Sequence, residues 1–435
     1  MKKDWEIKKL GEVCEIRPSK NETIKFLKDD DNVTFFPMED LQILNYYIEP
    51  KQLKKLKEIS GSYTCFANGD VLLAKVTPCF ENGKLGIANN LENGVGFGSS
   101  EYIVFRPSNI LLSEYLYYCL ASPNFRENGK KHLLGACGLK RLSKDYVNEY
   151  EIPIPPLEEQ KRIVKILDEK FAQLESLKAN AQTNLQNVKD LFQSQLSQAF
   201  EQKDCHTDSG LLTQSQKKDF KDFPLGKSNP CGNKWKTVRL DDVCEIRPPK
   251  SETTKYLNDD ANVSFLPMED LQIMNYYIEP KQSKKLKEVS GSYTCFANGD
   301  VLLAKVTPCF ENGKQGIAKD LTNGVGFGSS EYIVFRPASE LLSEYLYYSL
   351  ATSDFRENGK KHLIGACGLK RLSKDYVNEY KIPLPPLPEQ KRIVKELDTL
   401  SKKVKALQNI YEKMLLDCEE LKQAYLQKAF EGELD

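Results

Sequence analysis

The sequence predicts an α/β (α+β) protein: two globular modules with mixed β-sheet, separated by two long helices that form an intramolecular coiled coil. Three observations predict it. Residues 11–170 align with 241–400 at a constant offset of 230 without a gap, and 129 of those 160 positions are identical. From Phe171 to Phe200 the identity collapses to seven of thirty positions, while length and character persist. Short apolar, β-branched runs punctuated by Gly and Asn fill the middle of each module. A period of 230 is far too long for a solenoid, so the chain is a tandem duplication of a module and its tail.

The boundaries follow. The first module covers 1–155 and its helix 156–201; a linker covers 202–233; the second module covers 234–385 and its helix 386–435. In the first module Asn32–Pro37, Asp70–Val76, Gly83–Ala88 and Glu101–Arg106 read as strands of one small twisted sheet. Ser113 caps an expected helix from Glu114 to Arg126. The charged run Lys51–Lys57 reads as a helix face. Ile152-Pro-Ile-Pro-Pro156 is extended because its prolines block a helix.

A helix then opens at Leu157 and meets no breaker before Phe200. Those 44 residues give about 66 Å of helix at ~1.5 Å per residue. The copy runs from Leu387 to Phe430. Apolar residues recur at three–four spacing, Val164, Leu167, Phe171, Leu174, Ala181, Leu185, Val188 and Phe192 in the first tail, interrupted by Lys178. The second tail has Ile393, Leu397, Leu400, Val404, Leu407, Tyr411, Met414, Cys418, Leu421 and Tyr425. These are coiled-coil seams. Two seams of equal length and diverged sequence in one chain point to each other as partners, in either direction; the bland alternative is pairing between two copies of the chain.

Composition narrows the function classes. Lys plus Arg and Asp plus Glu both number 62, so any nucleic-acid binding rests on local basic patches. The opening residues lack the apolar stretch of a signal peptide, and no segment is apolar enough to span a bilayer, which points to a cytoplasmic protein without membrane contact. The twelve cysteines contain no Cys-x-x-Cys pair and read as reduced, mostly buried thiols. Cys205, His206 and Cys231 in or near the linker fit no zinc spacing, so no metal is expected. No aromatic-ended Asn-Pro-Pro or Asp-Pro-Pro motif of an amino-methyltransferase and no Walker lysine motif occurs. Gly94-Val-Gly-Phe-Gly98 runs into a strand and makes a poor nucleotide loop. Neither a catalytic residue nor a cofactor is expected.

Two segments carry the DNA-binding case. Asn128 to Lys144 holds five basic residues and no acidic one, and its glycines permit close backbone approach. It offers Lys130, Lys131, His132, Lys140 and Arg141, repeated as Lys360, Lys361, His362, Lys370 and Arg371. Lys75 to Lys84 packs Lys75, Thr77, Asn82 and Lys84 into a turn able to donate to and accept from base edges, repeated as Lys305, Thr307, Asn312 and Lys314. The bland readings are a solvated loop and an ordinary hairpin.

The run Glu151-Ile-Pro-Ile-Pro-Pro-Leu-Glu-Glu-Gln-Lys-Arg-Ile-Val164 and its copy from Lys381 to Val394 closely resemble the hallmark of type I restriction–modification specificity subunits. Phe36 to Leu41, Lys75 to Lys84, Gly98 to Pro107 and Gly135 to Asp145 look like that family's target recognition domain. The resemblance spans essentially the whole chain, twice. It implies a subunit without catalytic residues, with each recognition domain reading one half of a split site in double-stranded DNA. The two helices would pair as an antiparallel coiled coil, act as spacer and dock two methyltransferase subunits, and restriction subunits would join that core. Competing readings are a complete DNA methyltransferase, which the missing motifs disfavour, and a coiled-coil scaffold with no DNA role. As a hypothesis, the 129-of-160 identity makes the target near-palindromic, since an antiparallel pairing of the tails relates two like modules by a pseudo-two-fold axis. Leu85/Gln315 and Asn89/Lys319, the differences nearest the candidate loop, are the expected symmetry breakers.

Overall fold

The computed structural model describes residues 5–43, 46–59, 61–135, 138–201, 235–273, 276–365 and 368–434. The expected linker, with Cys205, His206 and Cys231, lies outside the described residues.

The strands of the first module are β1 (Glu6–Lys9), β2 (Cys14–Ile16), β3 (Asn32–Phe36), β4 (Gln52–Lys55), β5 (Thr64–Ala67), β6 (Val71–Ala74), β7 (Leu85–Ile87), β8 (Val95–Gly98), β9 (Tyr102–Pro107), β10 (Leu133–Leu134), β11 (Arg141–Leu142) and β12 (Glu151–Ile154). While β1 pairs with β12 and β10 with β11, the other eight build two four-stranded sheets, where the sequence suggested one. One has the order β2-β9-β6-β7 and is antiparallel throughout. The other, β4-β3-β8-β5, contains a parallel pair, β3 with β8. All four residues of β6 are buried, as a strand covered on both faces requires. The second module repeats this topology strand for strand.

Several local expectations change. The Lys51–Lys57 run is strand β4 leading into a short helix, Leu56–Ile59, because Lys54 and its neighbours pair with β3. The helix expected from Glu114 to Arg126 is two helices, Ser113–Ala121 and Pro123–Lys131. Pro123 cannot continue the first; it occupies the first turn of the second, while the Ser122 hydroxyl accepts from the Phe125 N–H at 3.3 Å. The glycine-rich Gly94–Gly98 segment is strand β8 itself. A Cβ on Gly96 would lie 2.2 Å from the Phe66 ring, and one on Gly98 2.4 Å from the Phe36 carbonyl. Those glycines serve sheet packing.

The Pro-Pro-Leu-Glu-Glu-Gln run joins module to helix. Gln160 is fully buried; its Oε1 accepts from Leu112 N at 2.9 Å, and its Nε2 donates to the Ile110 and Pro155 carbonyls at 2.8 Å. One turn-forming glutamine thus satisfies three backbone groups that a buried helix start would otherwise strand. Gln390 repeats the pattern with Leu342, Glu340 and Pro385. Farther along, Tyr118 donates to Asp168 at 2.5 Å and Tyr348 to Asp398 at 2.8 Å.

The long helices are Leu157–Phe200 and Leu387–Glu431. The chain divides into two compact units, residues 1–183 with 411–435 and residues 184–410. In the first unit the helices run antiparallel: Lys178 pairs with Glu419 while Glu175, one turn earlier, pairs with Lys422, one turn later. Lys178, the break in the first apolar seam, thus has its own partner on the other helix. Leu426, Ala429 and Leu434 join a core with Leu10, Tyr115, Ile152, Ile163 and Leu167, and Phe430 packs on Tyr115 at 5.7 Å. In the second unit Phe200 packs on Tyr345 at 5.0 Å and Ser197 bonds Ser353 at 3.1 Å. The second seam departs from its expected path at Met414 and Leu421, which are 36% and 46% exposed; Cys418 is buried as expected, and Leu426 and Ala429 are buried beyond it.

Candidate DNA interface

The site is built where β6 leaves the sheet. Lys75 follows it and donates to the Ser100 carbonyl at 2.7 Å. A cis Thr77-Pro78 bond then turns the chain. Thr77 acts as a clasp on the β10–β11 hairpin. Its N–H donates to the Lys140 carbonyl at 2.9 Å, its hydroxyl donates to the Gly138 carbonyl at 3.2 Å, and the same hydroxyl accepts from Lys140 N at 3.0 Å. Gly135 and Gly138 hold φ of 139° and 83° at the hairpin's end, and a Cβ on Gly135 would meet the Leu139 carbonyl at 2.5 Å.

Arg141 grips Glu101 with two contacts of 2.9 Å, and the same carboxylate lies 3.8 Å from Lys75. Burial holds the Lys75 ammonium below its ordinary value. Glu101 opposes that effect, while Arg17, Arg141 and Lys144 add to it by repulsion. Three further cations therefore act on Lys75, and the one carboxylate, Glu101, faces Lys75 and Arg141. Arg17 has φ of 63°, in the left-handed region that is sparsely populated by non-glycine residues, with its N–H held by the Val104 carbonyl at 2.8 Å. The second module repeats the group as Lys305, Arg247, Arg371, Lys374 and Glu331. An excess of positive charge on a partly dehydrated surface suits the phosphates of a nucleic acid.

The candidates divide. Lys75, Thr77, Lys140 and Arg141 come together, as do Lys305, Thr307, Lys370 and Arg371. Lys84 is turned inward, donating to the Met38 carbonyl at 2.8 Å, and Lys314 does the same to Met268 at 2.9 Å; both brace the fold. Asn82 and Asn312 are exposed on the turn after the cis proline. Lys130 pairs with Glu127 at 2.6 Å and Lys131 with Asn128 at 3.4 Å. Lys360 and Lys361 pair likewise with Glu357 and Asn358. His132 and His362 are exposed and stack on Tyr146 and Tyr376 at 4.8 and 4.7 Å.

Arg17, Lys144 and Glu101, with their copies, were missed as site residues. Lys144 falls in the basic run already singled out, but the backbone turn at Arg17 has no signature before Pro18. Leu85 and Gln315, expected to distinguish the two modules at a base, are both 1% exposed. Gln315 spends its amide on the Tyr347 carbonyl at 2.9 Å, so neither side chain reaches a surface. Lys319 is exposed and lies 4.5 Å from the Tyr277 ring.

Among the described residues, no group of His, Cys, Asp and Glu is arranged to hold a metal, and no helix is long and apolar enough to cross a membrane. Eight described cysteines are free thiols, six of them buried; burial pushes Cys14 up to about 12.

The family model for the type I restriction modification DNA specificity domain matches residues 2–187 and 232–415. The Escherichia coli type I restriction enzyme EcoAI specificity subunit is 38% identical over 174 residues, 40% of this chain and 28% of the relative. The EcoEI specificity subunit, also of Escherichia coli, is 38% identical over 161 residues, 37% of this chain and 26% of the relative. The chain thus matches little more than a quarter of either relative's length. The Methanocaldococcus jannaschii MjaVIII specificity subunit is 23% identical over 417 residues, covering 91% of this chain and 86% of the relative. Among solved structures, a chain of a type I R-M system superposes with a TM-score of 0.73 at 22% identity, covering 99% of this chain and 98% of its own. The HsdS subunit from Thermoanaerobacter tengcongensis gives 0.60 at 22% identity, covering 100% and 98%. These two share the fold.

Proposed function

The chain belongs to the type I restriction modification DNA specificity family, and from that premise we propose that it is the sequence-reading subunit of a type I restriction–modification complex. Each module, 1–155 and 234–385, reads one half of a bipartite site in double-stranded DNA. The long helices set the gap between the halves and dock two methyltransferase subunits, which carry the chemistry. Restriction subunits complete the assembly. The chain itself is non-catalytic.

One observation carries the reading: the four-cation cluster around Lys75 recurs residue for residue around Lys305. In this account Arg17, Lys75 and Lys144 neutralise phosphates and set register. Lys140 beside them, and Asn82 and His132 elsewhere on the module, keep exposed polar groups for phosphate or base edges. Arg141 needs its carboxylate partner to exchange before its fork reaches a guanine. Every residue of this set is identical in the second module. The two half-sites are therefore near-identical and inverted. Sequencing the methylated bases of a host carrying the system tests this. The expected result is one split motif with matching inverted halves; two unrelated halves sink the symmetry, and no bipartite motif at all sinks the function.

A further inference from the structure

The β10–β11 hairpin carries two aliphatic side chains that the module leaves in solvent. Leu134 is 64% and Leu139 57% exposed; the second module keeps Ile364 at 67% and Leu369 at 58%. Ladder geometry sets the first of each pair outward. Leu133 pairs with Leu142, which is 3% exposed, so that pair faces the core. Leu134 and Arg141 are the next pair and face the opposite side. The hairpin is braced for load: Thr77 holds it at Gly138 and at both backbone groups of Lys140, and Glu101 holds Arg141. Its surroundings are cationic. Asn128 to Lys144 has no carboxylate, and Lys140 is exposed next to Leu139. The duplication tests the pattern internally, since position 134 changes to Ile364 and stays aliphatic.

Exposed leucines on strands tied to the module, in a run without a carboxylate beside a proposed phosphate-binding cluster, match the chemistry of side chains that enter a base stack. Such wedges unstack one step and bend the duplex by roughly 20–90°. We infer that Leu134 and Leu139, and Ile364 and Leu369, form an apolar wedge in each module that is pressed between bases of its half-site, so that duplex deformability contributes to the sequence selected. The inference rests on the DNA-reading function proposed above. It assigns part of the specificity to a step that makes no hydrogen bond to the protein, with flexible pyrimidine–purine steps favoured there.

The test uses the full chain assembled with its methyltransferase. The probe is a duplex bearing the methylated motif of the host, with dyes at both ends and 2-aminopurine placed through each half-site. Wild type is expected to shorten the end-to-end distance and brighten one 2-aminopurine position per half-site. The variant L134A/L139A/I364A/L369A, altered only at exposed positions, should keep its melting temperature and the salt slope of non-specific binding. It should lose the bend and the fluorescence rise, and its preference for the motif over unrelated duplex should drop roughly tenfold or more. A mismatch at the brightened step, which pre-pays unstacking, should restore most of that loss. A wild-type complex that binds the motif without bending or unstacking it overturns the wedge and leaves the DNA reading intact. So does a variant that still bends DNA but no longer holds the methyltransferase, which would make these residues a protein interface. A wild-type complex that binds no genomic duplex overturns both readings.

Discussion

Arg141 and Glu101 lock the hairpin to the turn before β9: Nε and a terminal nitrogen of the guanidinium each lie 2.9 Å from a separate carboxylate oxygen. Arg371 and Glu331 repeat the contact at 2.9 and 2.8 Å. This two-point geometry fixes the plane of the fork, which a single lysine contact does not. It also places a negative charge between Lys75 and Arg141, offsetting their mutual repulsion.

The pair has a pH signature. The Arg141 hydrogen bonds hold the Glu101 carboxyl below its ordinary value, and Arg371 does the same to Glu331. A depressed carboxylate contributes stability that is full above the unfolded-state value, about 4.3 for glutamate, and is lost as pH falls through the lower folded value. The double variant E101Q/E331Q should melt lower than wild type at pH 7 and lose less between about pH 5 and 3. Thermal melts across that range check it; parallel pH curves would show that the pairs contribute nothing to folding.

Lys144 and Lys374 should act through phosphates. The double variant K144A/K374A removes one cation from each module, so the slope of log affinity against log salt should shrink by about two, at ~0.9 per phosphate. Binding should weaken evenly across sequences. Filter binding over a salt series on the motif and on unrelated duplex checks both points. A changed base preference with an unchanged slope would place these lysines on base edges instead.

Legibility followed the range of the physics. The duplication, the two long helices and the extended Pro-Pro entry are local or periodic, and residues 157–200 and 387–431 are helices close to their expected bounds. Contacts between distant segments were hidden. Nothing local signals that Lys84 turns toward Met38, 46 residues away, or that Thr77 holds Lys140 across 63. Leu85 and Gln315 looked like surface differences beside a loop, yet tertiary packing buries both. The seam pattern at Met414 and Leu421 was misleading for a related reason. Three–four spacing marks a stripe, but the partner helix and the module decide which part of it is covered, and here Leu426 and Ala429 take the buried places.

That correction gives a paired test. Leu426 is 1% exposed in the core with Tyr115 and Leu167, so L426A should cost about 2–5 kcal/mol, the usual range for truncating a fully buried leucine. Leu421 is 46% exposed, and L421A should stay within about 0.5 kcal/mol of wild type. Urea unfolding of both variants checks the difference. Equal losses would return Leu421 to the seam.

The pairing of Lys178 with Glu419 and of Glu175 with Lys422 fixes a register against which the proposed spacer role of the helices can be tested by changing their length. Inserting seven residues into both helices, near residue 184 of the first and near residue 411 of the second, preserves a seam that repeats every seven positions. It adds about 10.5 Å of helix, or roughly three base pairs at ~3.4 Å each. The bases of each half-site should stay the same, because the modules are untouched, while the gap between them lengthens by about three. Methylome sequencing of a host carrying the lengthened chain reads both quantities at once. Inserting the seven residues into one helix alone offers no such compensation: it displaces one seam against the other beyond the insertion, and the methylated motif should vanish. If the single insertion leaves motif and gap unchanged, the helices do not set the spacing.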